Sequence, residues 1–299
     1  MHKKTTRKAL EIKPSGRSTD FLTPSFIFGC GFNCSYCYCK RHKTEGVDIA
    51  TNTLEILTAV DHHAWFADVE KPNQTHPKYV TYDIGCNSDM ALHAKNYEWG
   101  TVFEFFKQHP IAMGSFATKY VNDDLLKYNP EGKMRIRFSV MPAEYMNILE
   151  PHTSGLVARL NAVKKFQDAG YEVHLNFSPV IVKTDWLKKY EYLFQIIDKV
   201  ATIYGWDTDA VKAEVIFLTH NESKHLYNLE HKLPGEGLLW QPEIQESKVS
   251  QYGGKNIRYK AGLKKWYIDQ FVELHDKYIP WNTIRYCFTF LLLINIFKI

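Results

Sequence analysis

The chain is poor in thiols, in net charge and in long apolar runs. Cysteine accounts for six of its 299 residues. Net charge is +4, too small by itself to point to a nucleic-acid partner. The longest apolar stretch, "YCFTFLLLINIF" (286–297), is interrupted by Asn295 and falls well short of the about 20 residues of a membrane span. A buried terminal strand or helix is expected there, and no membrane association. The start, "MHKKTTRKALEIKPSGR", lacks the apolar core and small-residue cleavage site of a secretory signal. Lys3, Lys4, Arg7, Lys8, Lys13 and Arg17 stand there against Glu11, which reads as a solvated basic tail over residues 1–20. These absences imply a cytoplasmic chain with reduced thiols, and so argue against disulfides.

What is present is alternation. "FLTPSFIFG" (21–29), "KYVTYDIG" (78–85), "IAMGSFAT" (111–118), "KMRIRFSV" (133–140), "YEVHLNFSPVIV" (171–182, with a break at Pro179) and "KAEVIFLTH" (212–220) read as strands. Between them, residues 53–69, 96–109, 122–128, 154–170 and 185–205 have helical spacing. Leu54, Leu57, Val60 and Ala64 share a face in the first of these. Ser154 is a possible cap and Gly170 a stop for the fourth. Six strand–helix units or fragments imply parallel strands with crossover helices, as an open sheet or a barrel. In a barrel, ligands sit at the C-terminal strand ends.

Four of the six cysteines crowd into "GCGFNCSYCYCK" (29–40), after the first strand. The spacing Cys30-x3-Cys34-x2-Cys37 has no second Cys/His pair downstream, as structural zinc sites usually have, although Cys39 and His42 could complete a local one. Three thiolates on a tight loop suit a [4Fe–4S] cluster with one iron left open. Gly29 and Gly31 would let the backbone turn closely around it.

C-x3-C-x2-C with an aromatic, Tyr36, before the last cysteine resembles the radical S-adenosylmethionine (SAM) superfamily. Within it, "CSYCY", "GCNSD", "FATKY", "RIRFSV", "ILEPHTSGLVARLNAVKKFQDAGYEVHLNFSPVIV" and "QYGGKNIRYK" resemble, in order, segments of the spore photoproduct lyase family. The likeness runs from about residue 21 to about residue 286. It implies an α/β fold, a partial (βα)6 TIM-type barrel, over 21–230. A C-terminal region, 231–299, would cover the barrel mouth with a hairpin.

By that resemblance Cys30, Cys34 and Cys37 hold the cluster, and SAM chelates the open iron. The cofactors would make a 5′-deoxyadenosyl radical, which takes a hydrogen from C6 of a UV-induced thymine dimer in DNA. Cys86, at a predicted strand end, matches the cysteine that returns a hydrogen atom, and Tyr36 and Tyr38 match tyrosines thought to relay the radical onward. Tyr36, Ser88, Lys119, Ser139 and Ser178 fall on SAM-contact positions, Lys119 suited to the methionine carboxylate. Tyr252, Lys255 and Arg258 fall on the lesion-facing hairpin, with Gly253 and Gly254 in its turn. An electron donor such as flavodoxin or ferredoxin is implied.

Three features depart from the family pattern. Only 29 residues precede Cys30; Gln251 stands where Arg usually neighbours the hairpin tyrosine; and the residues from about Cys287 look unlike the family. Two other readings stay open: a radical SAM enzyme of the same build acting on another nucleotide or a small molecule, and a zinc-stabilised nucleic-acid-binding module.

Overall fold

The computed structural model describes residues 1–5, 10–16, 18–39, 45–68, 70–249 and 255–287. The strands are β1 (His2–Lys4), β2 (Lys13–Pro14), β3 (Phe21–Leu22), β4 (Ile27–Phe28), β5 (Asp48–Ala50), β6 (Val80–Asp83), β7 (Ala112–Thr118), β8 (Met134–Val140), β9 (Glu172–Val180), β10 (Lys212–Phe217), β11 (Thr219–Asn221), β12 (Gln245–Val249), β13 (Lys255–Tyr259) and β14 (Ile284–Cys287). The α-helices are α1 (Thr53–Phe66), α2 (Trp99–Gln108), α3 (Ala143–Leu149), α4 (Leu156–Asp168), α5 (Trp186–Tyr204), α6 (Glu222–Glu230), α7 (Glu236–Leu239) and α8 (Ala261–Tyr278).

Eight strands form one sheet in the order β14-β10-β9-β8-β7-β6-β3-β2, parallel throughout except for the β2–β3 pair. The sheet curls. Arg137 on β8 reaches Asp83 on β6 at 2.7 Å and Glu214 on β10 at 3.3 Å, each two strands away on opposite sides. Only a concave face brings such side chains together. Its two edges also approach: Arg285 on β14 donates to the Ser18 carbonyl at 2.9 Å, and the Tyr286 hydroxyl to Gly16 at 2.8 Å. The result is an open half-barrel of the TIM type.

Strand alternation sorts β8 between two environments. Met134, Ile136, Phe138 and Val140 face the helices, where Phe138 meets Phe166 of α4 edge to face at 5.3 Å. Arg135, Arg137 and Ser139 line the concave side. Both faces are buried, which is why this strand shows no exposed edge residue.

The segment expected as one strand over 21–29 is two. Pro24 has no N–H to give a ladder, and the chain leaves the main sheet there. β3 pairs with β6, while β4 pairs antiparallel with β5 in a separate three-stranded sheet. Residues 212–220 likewise divide, β10 staying in the barrel and β11 joining β13 and β12. β9 runs through Pro179 to Val180, with a cis Ser178–Pro179 bond. Residues 122–128 form a 3-10 turn rather than an α-helix.

Three details of the helices also differ from expectation. Leu54 is exposed, and Ile56 joins Leu57 and Val60 on the buried face of α1. Gly155, not Ser154, caps α4; the Ser154 hydroxyl instead accepts the Val121 N–H at 2.9 Å. Gly170 does end that helix, at φ +84°, where a Cβ would meet Asn129 Oδ1 at 2.3 Å. The C-terminal stretch expected as a buried strand or helix begins in β14, which extends the main sheet; the rest lies outside the described residues. Among the described residues no helix is long and apolar enough to cross a membrane.

Candidate active site

The cysteine loop leaves β4 with Gly29 at φ +90°, a backbone state that residues bearing a Cβ rarely adopt. Gly31 does not need its freedom: a Cβ there would lie 3.7 Å from Leu92, an ordinary contact. The loop is pinned on three sides. The Gly29 N–H donates to the Asn87 carbonyl at 3.0 Å, and the Ser88 hydroxyl to the Gly29 carbonyl at 2.6 Å. The Ser35 N–H donates to Leu149 at the end of α3 at 3.0 Å. On the third side, Ser35 Oγ donates to the Pro234 carbonyl at 3.1 Å, and Asn228 Nδ2 of α6 to the Ser35 carbonyl at 2.8 Å.

All six cysteines are free thiols. Cys30, Cys34 and Cys37 are close enough for their charges to interact. Burial, then Asp89, raises the Cys30 thiol to about 11, with Cys37 adding to the rise. Burial, then Glu150, pushes Cys34 well up, with Cys37 and Cys30 adding to it. Cys37 goes the other way, to about 6, because the Cys39 thiol donates to it; the Cys39 N–H lies 3.5 Å from the same sulfur. Cys39 is itself pushed up, by giving that hydrogen bond and by burial. Lys119 is the cation of the group. Burial lowers its ammonium, but Glu150, Cys34 and Cys37 together raise it. It stands 5.7 Å from the Tyr36 ring centre.

The loop after β6 carries Cys86. Its sulfur lies 3.8 Å from Ser25 Oγ and accepts from Asn87 Nδ2 at 3.4 Å. Burial, then the charge of Asp83, raises this thiol to about 12, so it keeps its hydrogen at neutral pH. The Tyr38 hydroxyl donates to the Cys86 carbonyl. The Tyr36 hydroxyl donates to Glu150, and burial, then that carboxylate, holds the phenol well above its usual range.

Sequence reasoning passed over Glu150 and Arg159. Arg159 is fully buried on the apolar face of α4, between Leu156 and Leu160. It donates to Glu150 at 2.6 Å, the Ser139 carbonyl at 2.7 Å, Thr153 Oγ1 at 2.7 Å and the Ser154 carbonyl at 2.7 Å. This one guanidinium ties β8 to Glu150 and so to Tyr36. An arginine on the core stripe of a predicted helix was the available signal, since such a charge must be paired. Asp89, buried, was also passed over: it accepts the Thr118 hydroxyl at 2.7 Å and the Lys119 N–H at 2.8 Å, fixing the end of β7. Ser139 Oγ accepts from Asn176 Nδ2 across the β8–β9 pair at 3.3 Å.

The expected residues thus divide. Cys30, Cys34, Cys37, Tyr36, Lys119, Ser88, Cys86, Tyr38 and, through Arg159, Ser139 are linked by contacts around the loop. Ser178 lies half-buried near the end of β9. Lys255 and Arg258 stand in β13, in the small sheet, where Arg258 pairs with Glu246 at 3.0 Å. Tyr252, Gln251, Gly253 and Gly254 lie outside the described residues, as does His42 of the zinc alternative.

A curled parallel sheet with three free thiols on the loop after β4, beside it, and a lysine just past the end of β7, defines a radical SAM barrel. The model of the spore photoproduct lyase family matches residues 4–289. Spore photoproduct lyase of Bacillus subtilis (strain 168) is 29% identical over 262 residues, covering 85% of this chain and 72% of the relative. That of Geobacillus sp. (strain Y412MC61) is 30% identical over 256 residues, covering 84% and 72%. The chain belongs to the spore photoproduct lyase family, and with it to the radical SAM lyases. A solved spore photoproduct lyase complexed with dinucleoside spore photoproduct superposes with a TM-score of 0.82 at 22% identity, covering 95% of this chain and 82% of that one. A double mutant with bound AdoMet and the same dinucleoside gives 0.82, covering 94% and 81%. Both share this fold.

Proposed function

We propose that the chain is a DNA-repair lyase that reverses the spore photoproduct, a thymine dimer, with a [4Fe–4S] cluster and SAM. The donor set fits the cluster: three free thiols share one loop, and the Cys37 charge raises the cost of ionising Cys30 and Cys34, which calls for a cation group among them. Cys30, Cys34 and Cys37 would hold three irons, and a flavodoxin or ferredoxin would supply the electron. Lys119 would meet the SAM carboxylate. Ser139 supports the same pocket, its hydroxyl hydrogen still available because its oxygen is the acceptor for Asn176. Ser88 holds the loop through Gly29, and Ser178 is assigned to the pocket by position in β9. Bound together, cluster and SAM supply a 5′-deoxyadenosyl radical that takes a hydrogen atom from C6 of the lesion.

Cys86 then gives the hydrogen of its S–H to the thymine radical left when the methylene bridge breaks, and keeps the unpaired electron as a thiyl. Tyr38, bonded to the Cys86 carbonyl, would restore the thiol by passing it the phenolic hydrogen atom, Tyr36 would replace that hydrogen, and 5′-deoxyadenosine would return one to Tyr36. Tyr252, Lys255 and Arg258 are assigned to the lesion and its phosphates.

The observation that carries this reading is the joining of two loops. The Gly29–Asn87 and Ser88–Gly29 bonds and the Tyr38–Cys86 contact hold a protonated thiol against the thiol triad's loop. The test is anaerobic reconstitution, reduction and incubation with dinucleotide spore photoproduct. Release of repaired thymine is expected. An intact cluster that cleaves SAM yet releases no thymine overturns the substrate and favours another nucleotide.

A further inference from the structure

Behind the part of the cysteine loop where Ser35 meets Asn228 and Pro234, three groups of metal-ligating type converge that play no part in the chemistry above. β11 ends at Asn221, whose side chain accepts the Ser223 and Lys224 N–H groups and starts α6 at once. The tight start folds His225, on the first turn of α6, back over His220 of β11. Glu236, the first residue of α7, closes the third side. His220 Nε2 lies 2.9 Å from Glu236 Oε1, and His225 Nδ1 contacts the same oxygen. The three ligand atoms all lie within 4.8 Å of one another.

We propose that His220, His225 and Glu236 form a second metal site, one for a zinc-type divalent cation. Two imidazoles and a carboxylate, with no thiolate, are a borderline donor set that leaves a fourth position for water. Around an ion with bonds of about 2.1 Å, tetrahedral ligand atoms stand about 3.4 Å apart. The observed separations bracket that figure, so seating an ion asks for small side-chain shifts and no backbone change.

The surroundings hold the ligands as an outer shell should. The His225 ring stacks on Trp240 at 3.7 Å, 8° from parallel, which fixes its plane. Asn228 Nδ2 donates to Glu236 Oε2 at 2.5 Å, turning Oε1 to the two imidazoles. His220 is fully buried, while His225 and Glu236 keep a little exposure, giving an ion a way in.

The site has a consequence for the cysteine loop. Asn228 bonds Glu236 and the Ser35 carbonyl with one amide. A cation joining β11, α6 and α7 therefore braces the wall against which Ser35 is fastened. It is a structural clamp, independent of which substrate the barrel takes.

The test uses the anaerobically reconstituted holoenzyme, titrated with Zn2+ against a competing chelator, with zinc, iron and sulfide measured on one sample. One zinc per chain is expected beside a full cluster. Zinc-edge X-ray absorption should show nitrogen and oxygen neighbours only, at about 2.0–2.1 Å. His225→Phe, which keeps the stack on Trp240, and the isosteric Glu236→Gln should each bring zinc to background without loss of iron or sulfide. Asn228→Ala should weaken zinc binding by about 10- to 100-fold. Zinc at background in the parent, sulfur neighbours at about 2.3 Å, or full zinc in Glu236→Gln overturns the site. Because iron and sulfide are read in the same sample, such a failure is distinct from failure of the cluster.

Discussion

The lower and upper layers of the concave face differ in how their charges are closed. Below, Arg135 meets Glu172 at 2.8 Å, and Arg137 bridges Asp83 and Glu214; Arg285 reaches Glu214 as well. Cation and anion alternate, and the protein completes the balance itself. Above, on the loop after β4, the Cys37 charge raises the cost of ionising Cys30 and Cys34, with Lys119 as the nearby cation. One face of β8 passes from the first regime to the second within Arg135, Arg137 and Ser139. A buried polar layer that is already neutralised supports the barrel. One that is left short of positive charge is where a cofactor enters.

The sharpest way to break that contrast is to remove a member of each layer. Cys34→Ala should abolish cluster assembly and lyase activity entirely while the fold, read by circular dichroism and thermal melting, is retained. Arg137→Ala should do the reverse. It leaves the partly buried Asp83 without its cation and the buried Glu214 with Arg285 alone, a loss of up to about 3–5 kcal/mol in unfolding free energy, measurable in urea. If Cys34→Ala unfolds the chain as Arg137→Ala does, the two layers are not different in kind.

Cys86→Ala refines the upper layer. SAM cleavage should continue, but the thymine radical, deprived of its hydrogen donor, should be diverted to adducts resolved by chromatography. Normal thymine yield would remove Cys86 from the donor role.

The lower layer was the less legible part of the sequence. "KMRIRFSV" announces a strand by alternation, yet alternation alone does not say that the polar face turns inward; a half-exposed strand reads the same. The inward turn depends on curling, which is set by the whole run of strand pairings from β3 across to β14. The loop of Cys30, Cys34 and Cys37 was legible because its chemistry is local, held in eight residues. Cys86, Ser88, Lys119 and Ser139 could be named only through the family resemblance, with which their places at or just past predicted strand ends agree. Glu150 and Arg159 were missed because they act through each other, across a turn and a helix that pattern reading treats as core. α6, α7 and α8 were also missed, and with them the wall that fastens Ser35.

Acid should separate the layers by stability. Burial raises the Glu214 carboxyl, but Arg285 and Arg137 more than reverse this and hold it at about 2, below its ordinary 4.5. A depressed folded value means that the stability it contributes is whole above pH 4.5 and fades as pH falls toward 2. In a Cys34→Ala background, where cluster loss plays no part, urea midpoints should fall between pH 5 and pH 3. Glu214→Gln should start lower and fall less steeply. Equal slopes would show that Glu214 is not held by its arginines.

The smallest expected effect is a constancy, and it tests the upper layer from the alkaline side. An ordinary thiol with a pKa near about 8.5 would have lost most of its hydrogen by pH 10. Burial and Asp83 raise Cys86 to about 12, so its S–H persists across that range. The ratio of repaired thymine to adduct should therefore stay level from pH 7 to pH 10, even as the overall rate changes with other groups. A ratio that turns toward adduct with a midpoint near pH 9 would mean that the Cys86 thiol meets water freely. It would then be no more sheltered than a surface thiol, and its bond to the loop of Gly29 would not be what keeps it ready to donate.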